Sequence, residues 1–345
     1  MGVEKNIPEG WVESTLGSAV EILSSKRIFA ADYVSDGIPF YRSKEIIEKS
    51  KGGTTSTPLF ITEKRYNDIK EIFGAPVNGD LLISAVGERA GIPYYIKDDG
   101  DFYFKDGNLI WFRNFNEKLS SYYLCYFLKS RIGQNKLDSL MIGSAQKALT
   151  IIGMKSMELL LPPLPEQKAI AKVLTAFDDK IELLQAQNKT LETMAQTIFK
   201  EWFGKYQIGD ELPEGWRVGK LDEVLSICGG STPSTNNSDF WDGEINWTSP
   251  KDLSNSKGLF LLNTGKKITK KGLSKISSGL LPKGTLLLSS RAPIGYLSIT
   301  HIELAINQGY IALLPEQYLS NKYMYLCIRV LLLVPWNPHT IHVIC

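Results

Sequence analysis

IPEGW at Ile7–Trp11 returns as LPEGW at Leu212–Trp216, 205 residues further on. Four more blocks follow in the same order. IPFYRSKEI (Ile38–Ile46) is matched by INWTSPKDL (Ile245–Leu253), and NGDLLIS (Asn78–Ser84) by KGTLLLS (Lys283–Ser289). KDGNLI (Lys105–Ile110) then faces NQGYIA (Asn307–Ala312), and LSSYYL (Leu119–Leu124) faces LSNKYM (Leu319–Met324). The offset drifts only between 207 and 200. Ordered blocks at a nearly constant offset mean that one domain fold is present twice.

Inside each copy the local signals are mostly β. VNGDLLISAVG and PKGTLLLSSRA each read as a glycine-centred turn feeding a short apolar strand, with Gly79, Gly87, Gly284 and Gly295 as turn residues. FYFKDGNLIWF and ELAINQGYIALL each read as two strands around a glycine turn. Helical periodicity is confined to Ser121–Ser130 and to its counterpart around Asn321–Val330. Each copy is therefore expected to be an α+β unit around a curved sheet. The repeated Pro-Glu-Gly-Trp opens each unit, with Trp11 and Trp216 expected as core anchors rather than base-stacking surfaces.

Between the copies the texture changes. LPPLPEQ (Leu161–Gln167) stops what precedes it and starts a helix, with Glu166 in the acid-favouring first turn. No Gly or Pro follows Pro165 until after Phe203. Ile170, Val173, Phe177, Ile181, Leu184, Asn188, Leu191, Ala195, Ile198 and Trp202 are spaced by threes and fours, a heptad seam with one irregularity at Phe177–Ile181. At 1.5 Å per residue such a helix spans on the order of 55–60 Å, enough to hold two domains apart. Its stripe calls for a second helix to cover it, and Asn188 on the seam is the kind of polar residue that sets register.

Composition narrows the class without naming it. In 345 residues, 43% are hydrophobic, enough for globular cores, while the net charge of +2 is too mild to argue for or against nucleic acid. Cys125, Cys228, Cys327 and Cys345 form no C-x-x-C pair, and with only His301, His339 and His342 available no zinc-ligand spacing exists. Reduced thiols are expected. The N-terminus lacks the apolar run of a signal peptide, and the aliphatic stretch Val330–Val334 falls far short of the ~20 residues that span a bilayer. There is no G-x-x-x-x-G-K-[ST] loop and no Asn/Asp-Pro-Pro-aromatic motif, so no catalytic residue is assigned.

A duplicated domain whose copies open with P-E-G-W, with a long helix introduced by P-P-L-P-E-Q between them, resembles the specificity subunits of Type I restriction-modification systems. GSAQ (Gly143–Gln146) just before that helix belongs to the resemblance, as do GIPFYRSKEI in the first copy and CGGSTPS (Cys228–Ser234) with INWTSPKDL in the second. It covers roughly residues 7–328. The resemblance implies two tandem target recognition domains separated by a coiled-coil-type spacer helix. Each domain would read one half of a split sequence in double-stranded DNA. The helix would fix the unread gap and dock modification (methyltransferase) subunits, and restriction (translocase/endonuclease) subunits would join for cleavage of foreign DNA. S-adenosylmethionine, ATP and Mg²⁺ would sit on those partners, with none bound by this chain, in the cytoplasm and away from any membrane. The expected division is a first recognition domain at 1–160, the spacer at 161–205, a second recognition domain at 206–329 and a tail at 330–345. In the second copy the match stops near Arg329, and VLLLVPWNPHTIHVIC stands where a second spacer helix is expected, so a shortened C-terminus is expected.

Reading DNA requires side chains that reach base edges, plus cations and amides that hold phosphates. Candidates are sought in segments kept between the copies in place but not in identity. Tyr41, Arg42, Ser43 and Lys44 meet that condition in the first copy, and Thr248, Ser249 and Lys251 in the second. A second set follows the apolar strand: Glu88 and Arg89, then Ser290 and Arg291. Lys26, Arg27, Lys266, Lys267, Lys270 and Lys271 are basic clusters suited to a phosphate backbone or to plain solvent. A stand-alone two-domain DNA-binding protein outside a restriction system is the alternative. Against it stands the bare heptad helix, which calls for large partners.

Overall fold

The computed structural model describes residues 7–344 other than 54, 56–58, 145, 207–208, 221–222, 224, 256–257, 292, 317–318 and 332–341, so most of the tail from 330 onward lies outside the described residues. The chain divides into two compact units, Met1–Gln185 and Ala186–Cys345.

In the first unit, strands β1 (Val12–Thr15), β2 (Glu21–Leu23), β3 (Tyr33–Val34), β4 (Ile38–Tyr41), β5 (Leu59–Ile61), β6 (Leu81–Ser84), β7 (Pro93–Tyr95), β8 (Tyr103–Phe104), β9 (Leu109–Arg113) and β10 (Glu158–Leu161) alternate with helices. The helices are α1 (Ser43–Lys49), α2 (Glu63–Phe73), α3 (Ser121–Lys129), α4 (Arg131–Leu140), α5 (Ile151–Lys155) and the start of α6 (Leu164–Phe203). Two four-stranded sheets have the orders β2-β9-β6-β7 and β3-β5-β4-β8, and β1 pairs separately with β10.

The second unit repeats this plan. Its strands are β11 (Val218–Lys220), β12 (Ile227–Gly229), β13 (Trp241–Thr248), β14 (Phe260–Leu261), β15 (Lys266–Ile268), β16 (Leu286–Ser289), β17 (Leu297–Thr300), β18 (Ala305–Ile306), β19 (Tyr310–Leu313) and β20 (His342–Ile344). Helices α7 (Pro250–Asn255), α8 (Lys270–Leu273) and α9 (Asn321–Leu331) accompany them. The orders are β12-β19-β16-β17-β14 and β15-β13-β18. β11 pairs antiparallel with β20, as β1 does with β10, so residues of the C-terminal tail occupy the place that the strand before α6 takes in the first unit.

The duplicated strand NGDLLIS/KGTLLLS explains the core. All four residues of β6 are buried, and all four of β16. Because successive side chains of a strand point to opposite faces, one strand serves two cores. Leu81 and Ile83 enter a cluster with Leu124, Leu128 and Leu159, while Leu82 enters another with Phe104 and Trp111. Leu286 and Leu288 pack with Met324 and Ile328, while Leu287 packs with Leu304 and Ile306. Each such side chain contributes roughly 1.5–3 kcal/mol of burial. A central strand covered on both sides must therefore read as a continuous apolar run, as this one does.

Three local expectations change. The segments around Gly107 and Gln308 do hold two strands each, but not hairpins. β8 pairs in parallel with β4, whereas β9 pairs antiparallel with β2 and β6. β18 likewise joins β13 while β19 joins β12 and β16. Each turn crosses from one sheet to the other, which a two-residue-turn signal does not distinguish from a return. Second, short helices α1, α2, α4, α5, α7 and α8 occur outside the two segments with helical periodicity. Most are four to ten residues long, too short for an amphipathic period to stand out, and they start at side-chain caps such as Thr62, Ser130, Thr150 and Thr269. Third, Trp11 and Trp216 are half-buried at the edge of the core, and Trp216 packs there on Phe203 and Tyr206. The repeated Pro-Glu-Gly-Trp is a turn closed by Trp11 N–H to the Pro8 carbonyl and Trp216 N–H to the Pro213 carbonyl, with Gly10 and Gly215 at φ +80° and +84°. That left-handed position is what the glycine of the motif supplies. Gly79, Gly87, Gly284 and Gly295 are at φ +95°, +92°, +92° and +87°, as expected of turn residues.

Helix α6 runs unbroken from Leu164 to Phe203 and is followed by Gly204. In the first unit it is held by Gln167, fully buried, whose amide accepts from Ser120 N–H and donates to the carbonyls of Lys118 and Pro162. Tyr126 of α3 donates to Asp178 at 2.9 Å. In the second unit Tyr325 of α9 donates to Glu192 at 2.6 Å, and Phe199 and Phe203 pack on Tyr323. Asp178, Glu192, Phe199 and Phe203 each sit one position after a seam residue, as does the buried Ala171. The seam itself is largely left to water: Val173, Phe177, Ile181, Leu184, Leu191, Ile198 and Trp202 are 45–64% exposed, Asn188 is exposed, and Ile170 and Ala195 are half-buried. An uncovered stripe of this size forfeits on the order of 1.5–3 kcal/mol per large side chain. The chain alone is therefore expected to self-associate through α6 at micromolar concentration, and Leu184→Lys with Leu191→Lys is expected to restore a monomer. Sedimentation velocity on both proteins checks this; an unmodified chain that sediments as a clean monomer contradicts it.

Candidate nucleic-acid interface

The first candidate set sits at a strand-to-helix junction, not in a loop. Tyr41 ends β4 and is buried, its phenol pKa raised by that burial. Arg42 is the N-cap of α1. It donates through its backbone N–H and its guanidinium to Glu45, whose side chain has no exposure, at 2.6 Å in the ion pair. Burial works against the Glu45 charge, but the hydrogen bonds and charge of Arg42 outweigh it and hold the carboxyl below its ordinary pKa. Ser43 donates to the carbonyl of Asn108 at 2.8 Å. Lys44 is exposed and faces Glu48 at 4.0 Å.

The second unit uses the same plan with other residues. Thr248 ends β13, fully buried, and bonds to Asp252 and the Tyr310 hydroxyl. Asp252 also accepts from Ser249 N–H at 2.9 Å, standing where Glu45 stands. Ser249 is half-buried, and Lys251 is exposed on α7. Tyr41 and Thr248 thus serve the fold, and Arg42 is occupied with Glu45. Among this set Lys44 and Lys251 present exposed cations.

The second set is better placed for a ligand. Arg89 and Arg291 are exposed, Ser290 half-buried, and among the described residues no ion pair is formed by either arginine. Each loop leaves a buried strand that ends in a serine with no exposure, Ser84 or Ser289. Ser84 Oγ donates to the Arg89 carbonyl and accepts from Ile92 N–H at 3.0 Å. Ser289 Oγ donates to the Pro293 carbonyl at 2.7 Å and accepts from Tyr296 N–H at 2.8 Å.

One turn ties the two sets together in each unit. The Asn108 carbonyl accepts from Ser43 Oγ and from Ala85 N–H, joining the α1 junction to the start of the Arg89 loop. The Gly309 carbonyl accepts from Ser290 N–H and Oγ, while Asn307 N–H donates to the Thr248 carbonyl. A Cβ on Gly309 would lie 2.9 Å from Pro250, the first residue of α7. The sheet-crossing turn is therefore the hub of the candidate surface. Sequence reasoning overlooked Ser84, Ser289 and Asn108 as parts of it, although both serines close a duplicated block.

The basic clusters are mixed. Arg27 pairs with Asp106 at 2.9 Å, Lys271 with Asp239 at 3.2 Å, and Lys26 lies 4.2 Å from the centre of the Phe73 ring. Lys266 stands over Trp241, and Lys267 and Lys270 are exposed. Cys125 and Cys228 are free thiols, the first of them buried. Among the described residues no helix is long and apolar enough to cross a membrane.

Two units of one plan, each with an arginine loop beside a capped helix, agree with the comparison against protein families. The family model described as the Type I restriction modification DNA specificity domain matches residues 8–193 and again 213–334. The chain belongs to that family. The model matches it twice, once in each unit. Over 130 residues, 38% of this chain and 29% of the relative, it is 39% identical to the Type I restriction enzyme MjaIX specificity subunit of Methanocaldococcus jannaschii. It is 26% identical over 319 residues, 88% of this chain and 72% of the relative, to a second protein of that organism, provisionally named the type I restriction enzyme MjaX specificity subunit. Its fold is similar to the Type I restriction-modification S subunit from M. genitalium, with a TM-score of 0.56 at 15% identity, covering 96% of this chain and 79% of that one.

Proposed function

We propose that this specificity-domain chain reads a bipartite sequence in duplex DNA, one half-site per unit, and carries no catalytic role of its own. The carrying observation is that the serine-pinned arginine loop is built twice with different residues around it. A kept frame with changed side chains suits two readers of unlike half-sites. The exposed stripe of α6 suits docking of modification subunits, and restriction subunits would join that assembly. S-adenosylmethionine, ATP and Mg²⁺ would be held by those partners.

Selection of duplexes from a random library should return a split target, bound in a salt-dependent manner. Arg291→Ala should weaken that target by ~1–3 kcal/mol, the value of a bidentate guanine contact, and relax preference within one half-site only. Lys270→Ala should weaken all duplexes alike and flatten the salt slope. Equal losses on selected and random duplexes for Arg291→Ala would demote it to a phosphate contact, and a library with no enriched sequence would remove the reading altogether.

A further inference from the structure

The two arginine loops differ in length and in the address of the cation, yet are closed by the same bonds. From Ser84 to Ile92 the loop closes through Ser84 N–H to the Ile92 carbonyl and Gly91 N–H to the Ser84 carbonyl. From Ser289 to Tyr296, one residue shorter, it closes through Ser289 N–H to the Tyr296 carbonyl and Gly295 N–H to the Ser289 carbonyl. Gly91 and Gly295 hold φ +90° and +87°, the left-handed turn before the return strand. In both, the buried hydroxyl adds a donated bond to a loop carbonyl and an accepted bond from the return strand. Yet Arg89 lies five residues after its serine and Arg291 only two. A hydroxyl with no exposure and both hydrogen-bonding roles filled is a fixed point, and the exposed loop moves only as far as that pin lets it.

We propose that Ser84 and Ser289 are positioning residues of the DNA-reading surface: their hydroxyls latch the loops, and the latch sets where Arg89 and Arg291 are presented to the duplex. This rests on the reading proposed above. The latch is common to both units, and the address of the arginine within the loop distinguishes them. An arginine discriminates bases only when its planar fork is held in register with a base edge, whereas a loose arginine still finds phosphates. Freeing the loop should thus remove discrimination and spare general affinity.

The test uses the full chain, its selected duplex, single-base variants of that duplex and a random duplex. Ser289→Ala should lose about fivefold to tenfold in discrimination, the scale of one buried hydrogen bond. The loss should fall at the base pairs that Arg291→Ala relaxes, with random-duplex affinity unchanged. The double variant Ser289→Ala/Arg291→Ala should be no worse than Arg291→Ala alone. Ser84→Ala should act in the same way on the other half-site through Arg89. Hydrogen exchange at the Tyr296 amide, which the hydroxyl accepts from, should quicken in Ser289→Ala. Ser289→Cys, a weaker donor of similar size, serves if the alanine variant does not fold. Faster exchange with discrimination intact overturns the latch, as do additive losses in the double variant, which would mean that the serine acts apart from the arginine. If the unmodified chain prefers no sequence, the reading itself falls and the latch with it. If it does prefer one, only the latch is at stake.

Discussion

Deletion of Ile181–Gln187 is expected to change the gap between the two half-sites while leaving each half-site as it was. Seven residues remove about 10 Å of helical rise and bring the stripe back into nearly the same phase, since an α-helix drifts only ~20° per heptad. The cut lies between the anchors at Gln167–Asp178 and those at Glu192–Phe203, so neither unit loses a holding contact. It also spans the boundary between the compact units at Gln185 and Ala186. With one half out of register, the original target should lose on the order of 10²–10³-fold in affinity, about half of a typical specific-over-random ratio on a logarithmic scale. A duplex with a shortened gap should recover it. Selection from a library with variable gaps measures this, and recovery of the original gap by the deleted chain would show that α6 is not the ruler.

Arg42→Ala is expected to act chiefly on stability. The guanidinium lies 2.6 Å from the fully buried Glu45 and also donates Nε at 3.1 Å. Removing that cation leaves the carboxylate in a low-dielectric site without it. Breaking a buried pair usually costs about 3–5 kcal/mol. Because 35% of the Arg42 side chain is in water, screening reduces the expected loss to about 2–4 kcal/mol. The sign with pH follows from the lowered Glu45 pKa. A depressed folded-state carboxyl contributes stability above its unfolded pKa and loses it as pH falls through the folded one. The variant should therefore melt lower at neutral pH, and the gap to the unmodified chain should narrow in acid. Arg42→Ala/Glu45→Gln should recover part of the loss at neutral pH. A variant that melts like the parent and loses only DNA preference would return Arg42 to the reading surface.

Residues with local meaning could be read from the chain without its fold. The duplication was visible because IPEGW and NGDLLIS carry backbone demands, left-handed glycines and a doubly buried strand, that both copies of the fold meet in the same order. The α6 helix was visible because no Gly or Pro between Pro165 and Phe203 interrupts it and its apolar spacing runs from Ile170 to Trp202. The exposed stripe followed from the same spacing.

What needed the tertiary structure was every statement about which sheet a strand joins and what a side chain faces. Gly107 marks a turn in either case, but only the parallel pairing of β8 with β4 and the antiparallel pairing of β9 with β6 make it a crossing between sheets. Tyr41 and Thr248 looked like surface readers because they are polar and lie in changed positions, yet each ends a strand beneath a helix and is buried. Arg42 looked free because Glu45 is three residues away on a helix too short to announce itself. The latch joins Ser84 to Ile92 and Ser289 to Tyr296 across a loop, and the hub joins Ser43 to Asn108 across 65 residues. Periodicity and turn chemistry act over a few neighbouring residues and so are written in order along the chain. Burial and hydrogen-bond partnership between distant segments depend on which strands pair, and that is decided only when the two sheets of each unit close on their shared cores.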